Sequence, residues 1–577
     1  CNEAHERIGS LYPDAVLPDG TTVPVIAWIW ARTVTCPNPA CRLRMPLTRS
    51  WWLSKKKGKE AYVVPIVEGE TVRFTVGHEP AKAPIAKTDG TVGRTGARCI
   101  SCDTAVPLAY IRAESKAGRL GAQLMAMVAE GPRTRTYLAP TRDQEDIAAV
   151  TRPEDAPAGR LPEKALSFRV QAYGYELYAD LFTPRQLTAL TTFSAILAEM
   201  QHRVHADALA SGLADGPRLE ENGDSAAAYA DGVIVNLGLA VSRYSDLFNS
   251  LCTWNETNQN IRSLFSRQAI PMVWDFVEAN PFAGFSIAGP IESVAKSIQA
   301  VGPRGCASQE DAADVSFSGR VVSTDPPYYD NIGYSDLSDF FYVWLRRSLQ
   351  GVLPNLLGTL LTPKGKELVA NPYRHGGKEE ARAFFEDGFE QVFTRARAEA
   401  LDDFQITVYA ACKQSAYDVG GEASHSWETL LGSVIRAGWA VTATWPVRSE
   451  RSGRMLAIGT NALASSIVLA LRPRPVDAPT TDRRGFLAAL RTELPDALRE
   501  LQQGAIAPVD LPQAAIGPGM AVFTRYAAVL GNDGKPMPVR EALQQINALL
   551  DEVLNEQEGD FDADTRFALT WFRQHGF

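Results

Sequence analysis

Four consecutive residues, Asp325-Pro326-Pro327-Tyr328, place a carboxylate, two imino acids and a phenol directly after Arg320-Val-Val-Ser-Thr, an apolar run that reads as a strand. Those residue types suit one kind of chemistry. The exocyclic amine of a heterocyclic base is a poor nucleophile, because its lone pair is delocalised into the ring. The Asp325 carboxylate and the Pro326 carbonyl can each accept one amine hydrogen, which favours a tetrahedral nitrogen with its lone pair aimed at an electrophilic methyl group. Two prolines fix φ and remove competing N–H donors, so the acceptor carbonyl stays aimed. Tyr328, with Tyr329 and Tyr334 as understudies, can stack on a base turned out of a duplex. The competing reading is a Pro-Pro turn that ends a strand. Open α/β sheets hold their ligands just past the carboxyl ends of strands, and this placement favours the chemical reading.

A second pattern is made of cysteine. Cys36-Pro-Asn-Pro-Ala-Cys41 and Cys99-Ile-Ser-Cys102 are two short-spaced couples with 57 residues between them, and four thiolates suit tetrahedral zinc. Four protein ligands leave no open position for water, so such a site is structural. Two disulfides are the alternative; they fit poorly with Cys252, Cys306 and Cys412, which have no comparable spacing. Between the couples, residues 42–59 hold seven basic side chains, no acid and two tryptophans. Lys55, Lys56 and Lys57 are the candidate phosphate contacts there, with stacking from the tryptophans. A solvated loop with Trp51 and Trp52 in the core explains the same residues equally well.

A nucleotide-like cofactor requires a glycine-rich turn after a strand. The nearest match is Asn280-Pro-Phe-Ala-Gly-Phe-Ser-Ile-Ala-Gly289, which makes Phe282 and Gly284 weak candidates for cofactor contact. Only 41 residues separate Gly284 from Asp325, too few for the elements of a half-sheet. His202 and His205 read as surface histidines, Cys412 as a buried structural cysteine, and His375 has no assigned role.

The elements that must position these residues follow from the hydrophobic pattern. Residues 21–140 give short strands broken by Gly, Pro and Asp, a β-rich module around the cysteines. Residues 141–163 are rich in Pro, Ala and acids and read as a linker, and 164–310 turn helical. Between 311 and 475, four strand-like runs begin at Arg320, Phe404, Trp439 and Ser465, with helical stretches separating the first three; this is the α/β pattern of a parallel sheet. Residues 476–577 are mostly helical. Residues 1–20 open on a polar helix without a cap and are expected to be the tail of a preceding segment.

Composition sets the bounds. The chain has 577 residues, a formal charge of −9 and a pI near 5.5, so attraction to a polyanion must come from local patches. Eight cysteines are too few for a disulfide scaffold and point to a reducing compartment. With no apolar run near membrane-span length, a cytoplasmic protein is expected, without a membrane partner.

The run 323–347, opening Ser323-Thr-Asp-Pro-Pro-Tyr-Tyr-Asp-Asn-Ile-Gly-Tyr, resembles the family of adenine-specific DNA methylases that contain a zinc ribbon. So do Leu181-Phe-Thr-Pro-Arg-Gln-Leu, Asn371-Pro-Tyr-Arg-His-Gly-Gly and Gly459-Thr-Asn-Ala-Leu-Ala-Ser-Ser, and the similarity runs from about Gly20 to Arg474. The resemblance implies a Rossmann-like methyltransferase sheet, here partial, with an inserted zinc ribbon and an additional helical region. It also implies S-adenosylmethionine as methyl donor, adenine N6 as acceptor, Asp325, Pro326, Pro327 and Tyr328 as the catalytic tetrapeptide, and a cofactor loop upstream of the ribbon. The expected partners are DNA and further subunits of a DNA-modification or defence system. Cytosine N4, a protein amide, or a non-catalytic zinc-ribbon scaffold that binds DNA remain the alternatives.

Overall fold

The computed structural model describes all residues except 86–87, 132–134, 300–301, 303–304, 328, 330–331, 411–421, 448–465, 504–510, 560–561, 563, 566, 569–570 and 572–577. The chain is mixed α/β and divides into two units: Cys1–Gly305 with Gly333–Glu367, and Cys306–Ile332 with Leu368–Phe577. Among the described residues no helix is long and apolar enough to cross a membrane.

The first unit is built on the long strand Val25–Thr35, whose sequence VIAWIWARTVT is apolar on both faces and buried along almost its whole length. Gly121–Glu130 pairs antiparallel along one edge, with Met127 opposite Trp28, and Arg135–Leu138 extends the sheet. The other edge is shared: Asp275–Ala279 pairs with its first half (Val277 opposite Ile29), and Arg44–Leu47 with its second half (Arg32 opposite Leu47). The sheet thus takes strands both from the cysteine-bearing region and from the region whose periodicity predicts helix.

Three helices, Pro184–Ala210, Ala226–Leu247 and Tyr334–Leu349, pack on one another in this unit. The first starts sharply, because the Thr183 side chain accepts from Gln186 N–H, Gln186 answers the Thr183 N–H, and Pro184 follows the cap. In its first turn, fully buried Arg185 meets Glu278 of the strand at 2.5 Å, and Thr183 Oγ1 donates to the same carboxylate. The guanidinium also lies 4.4 Å from the Trp28 ring centroid. Residues 141–163, expected to link, lie along this unit: Gln144 accepts from buried Trp28 Nε1 at 2.7 Å, Arg152 pairs with Asp180, and the Gly159 carbonyl accepts from Tyr178 N–H.

The second unit carries a four-stranded sheet in the order Ser323–Thr324, Ile406–Ala410, Ser466–Pro473, Trp439–Val447. The first pair is parallel, and Ser466–Pro473 is antiparallel to both of its neighbours. Three strands therefore run one way, with a reversed strand between two of them. The sequence pattern anticipates all four strands but not the reversal. Antiparallel pairing needs no crossover helix, so a pattern of alternating strand and helix does not announce it. Helices Lys378–Glu399 and Glu422–Arg436 supply the crossovers. The Phe385, Phe389 and Phe393 stripe of the first, at helical spacing, packs with Leu431, Trp439 and Leu469 in the core.

Candidate functional site

Each cysteine couple sits in the tip of a hairpin. Cys36 follows Val25–Thr35 and its N–H donates to the Leu43 carbonyl at 2.8 Å; the chain turns through Arg42, which adopts φ 50°, before Arg44–Leu47. Cys99 follows Gly96–Arg98 and its N–H donates to Thr104 at 3.0 Å; Asp103, at φ 56°, makes the equivalent turn before Ala105–Pro107. The same device at both tips points four sulfurs at one spot. Cys36 Sγ lies 3.7 Å from Cys102 Sγ and Cys41 Sγ lies 3.8 Å from Cys99 Sγ, with all four within 4.8 Å of one another.

Those separations are far longer than a disulfide, and all four cysteines are free thiols. They match the edge of about 3.8 Å expected of a tetrahedron with zinc–sulfur arms of about 2.3 Å. The donor set therefore can hold a metal ion and is compatible with structural zinc. Burial pushes the Cys36 thiol up to about 12 and raises Cys99, whereas the hydroxyl and N–H of Thr104 hold Cys102 down at about 6. A cation at the centre supplies what burial withholds, by stabilising the two buried thiolates. Thr104, 3.1 Å from Cys102 Sγ, and Asn38, whose Nδ2 donates to Thr104 Oγ1 at 3.4 Å, tie the two tips together. Cysteine spacing alone does not single out either residue.

The basic segment between the tips is divided in its roles. Trp51 is buried and Trp52 half-buried, edge-on to Tyr62 at 5.9 Å. Lys55 pairs with Glu256 at 3.2 Å, while Lys56 and Lys57 have no ion pair among the described residues. Trp51 thus packs with the sheet of Trp52–Ser54, Ala61–Glu68 and Thr71–Gly77, Trp52 does so in part, and Lys55, Lys56, Lys57 and Lys59 are all exposed.

Asp325 lies immediately past the carboxyl end of Ser323–Thr324 and is exposed, with Pro326 and Pro327 half-buried behind it; Tyr328 lies outside the described residues. The strand is fixed by Thr407, whose N–H donates to the Val322 carbonyl at 3.1 Å and whose Oγ1 donates to Ser323 Oγ at 2.8 Å. Tyr329 is half-buried, its ring edge-on to Phe385 at 5.1 Å, and its carbonyl accepts from Ala370 N–H at 2.7 Å. Buried Asn371 follows; its carbonyl accepts from the N–H groups of Arg374 and His375, and its Oδ1 from Tyr373 N–H at 3.1 Å. Two runs far apart in sequence, 323–329 and 371–377, are thereby brought together at one end of the sheet. Tyr334 opens the helix Tyr334–Leu349 of the first unit.

The turn after Asp275–Ala279 is explained by packing. Asn280 Nδ2 donates to the Val25 carbonyl at 2.7 Å, and half-buried Phe282 lies edge-on to His5 at 4.9 Å. Gly284, at φ 64°, lies so close to Ile26 that an added Cβ would be 2.6 Å from the Ile26 Cβ. Its strand belongs to the antiparallel sheet of the first unit. Among the other histidines, His205 meets Asp215 at 3.1 Å, and His375 stacks on Phe384 at 4.0 Å, where burial and Arg374 hold its pKa below the usual value. Cys412 and residues 459–465 lie outside the described residues.

Comparison with known proteins finds no matching family model, and no curated protein or solved structure matches the chain significantly. The functional reading therefore stands on the residues and their geometry.

Proposed function

We propose that this chain carries the amine-activating and target-binding part of an S-adenosylmethionine-dependent DNA methyltransferase acting on adenine N6, with a structural zinc ion held by Cys36, Cys41, Cys99 and Cys102. The observation that carries the reading is the setting of Asp325: an exposed carboxylate at the carboxyl end of one of three like-directed strands, where doubly wound sheets place their ligands. Three like-directed strands with helices between them in the chain support a partial Rossmann-like sheet.

In this reading Asp325 and the Pro326 carbonyl accept the two amine hydrogens, and the prolines hold that carbonyl in place. The Ala370 N–H holds the Tyr329 carbonyl, four residues past Asp325. S-adenosylmethionine supplies the electrophilic methyl group. Among the described residues no glycine-rich turn follows a strand of the four-stranded sheet, and Gly284 is accounted for by Ile26, so no residue is assigned to the cofactor.

The test is transfer of labelled methyl from S-adenosylmethionine to DNA, with product analysis and Asp325→Ala as control. Label in N6-methyladenine that vanishes in the variant supports the reading. Label in N4-methylcytosine or in protein moves the acceptor. DNA binding without cofactor binding or transfer leaves the non-catalytic scaffold.

A further inference from the structure

A cavity of about 430 Å³ opens in the second unit, between the helices Lys378–Glu399 and Glu422–Arg436 and the segment 523–539. Topology sets its place. Arg474, on its wall, follows Pro473, which pairs with Trp439, the first residue of Trp439–Val447. That strand runs in the same direction as Ser323–Thr324, so Trp439 marks the amino ends of the strands, whereas Asp325 lies past the carboxyl end. The Arg474 end of the cavity is therefore distinct from the end of the sheet that carries Asp325.

The charges on the wall are unequal in their commitments. Arg382 pairs with Glu386 at 2.8 Å, Arg436 with Glu390 at 2.6 Å, and Glu428 with Arg540 at 2.8 Å. Arg474 has no carboxylate partner among the described residues; its Nη2 donates to the Ile435 carbonyl at 3.3 Å. That bond places a cation at the carboxyl end of a helix, where the helix dipole favours it, but it uses one of five guanidinium donors. Burial also lowers its pKa, as expected of a cation with no anion beside it. Three arginines against two glutamates leave the wall with one surplus positive charge. A second negative charge on a ligand would meet Glu386 and Glu428. The wall also carries Phe523, Val529 and Met537, apolar side chains for a ligand body. The volume lies within the range of small-molecule sites.

We propose that this cavity binds a small monocarboxylate with an apolar body, its carboxylate on Arg474 and its body against Phe523 and Met537. The site is independent of the methyltransferase reading. Calorimetric titration of the full chain with benzoate and with uncharged benzamide tests it. Benzoate is expected to bind at least tenfold more tightly than benzamide, and Arg474→Gln to weaken benzoate at least tenfold. Comparing two probes on the unaltered chain keeps the test valid even if the variant loses the helix cap. Binding of neither probe, equal binding of both, or benzoate binding unchanged in a folded Arg474→Gln protein would overturn the proposal.

Discussion

Asp325 is exposed and, among the described residues, no cationic side chain pairs with it, so both carboxylate oxygens are available to an incoming amine. Its value to the fold is correspondingly small. Asp325→Ala is expected to reduce methyl transfer by about 10²-fold or more while leaving the melting temperature unchanged, because one preorganised electrostatic contact carries that order of rate. Asp325→Asn keeps one acceptor oxygen and should fall between the two. Equal activity of all three proteins would remove Asp325 from the chemistry. Asp231 shows the opposite balance, with a structural role and no reactive one. Its side chain is 1% exposed and accepts from Arg218 Nη2 at 2.7 Å and Gln201 Nε2 at 2.6 Å, tying the loop between two helices. Burial raises its pKa, but these bonds and the Leu219 N–H outweigh burial and hold it below the usual carboxylate range. A depressed folded pKa gives stability that is present above the unfolded value and lost as pH falls through the folded one. Asp231→Asn should therefore cost about 2 kcal/mol at neutral pH, the order of a charge-assisted hydrogen bond, and the gap from the unaltered protein should narrow below about pH 4. Thermal unfolding at pH 7 and at pH 3.5 measures both.

At the scale of elements, legibility followed sequence distance. The two cysteine tips are local turns whose spacing carries their geometry, and their meeting was readable because four thiolates have few other uses. The strands of the second unit were readable for the same reason, as short apolar runs bounded by turn residues. The strand Asp275–Ala279 was not: it pairs with Val25–Thr35 across more than 200 residues, and no local pattern encodes that partner. The Pro and Ala content of 141–163 resembles a linker, yet Gln144 and Arg152 bond to the body of the first unit. Arg185 and Glu278 were equally hidden, since neither has a spacing that announces a buried pair. If the tips are held by a metal, the purified chain should contain one zinc per molecule by elemental analysis. Cys99→Ser should abolish it and lower the melting temperature, because metal binding energy is folding energy for such a module. A metal-free protein of unchanged stability would reduce the cluster to four neighbouring thiols.

For the whole molecule the question is how a chain of charge −9 meets a polyanion. The charge is unevenly spread along the sequence: residues 36–102 hold twelve Lys and Arg against five Asp and Glu, a local excess of +7. The cysteine-bearing region is therefore where phosphate contacts should concentrate. Within it Lys55 is committed to Glu256 and should contribute less than Lys56 and Lys57, which have no ion pair among the described residues. Each phosphate neutralised releases about one counterion, so replacing Lys56 and Lys57 by alanine should lower the slope of log affinity against log salt by about 2. Lys55→Ala should add little. Fluorescence anisotropy on duplex DNA between low and moderate salt reads this directly. A slope that survives the loss of all three lysines would move the DNA contact off this segment and leave the cysteine-bearing hairpins a purely structural role.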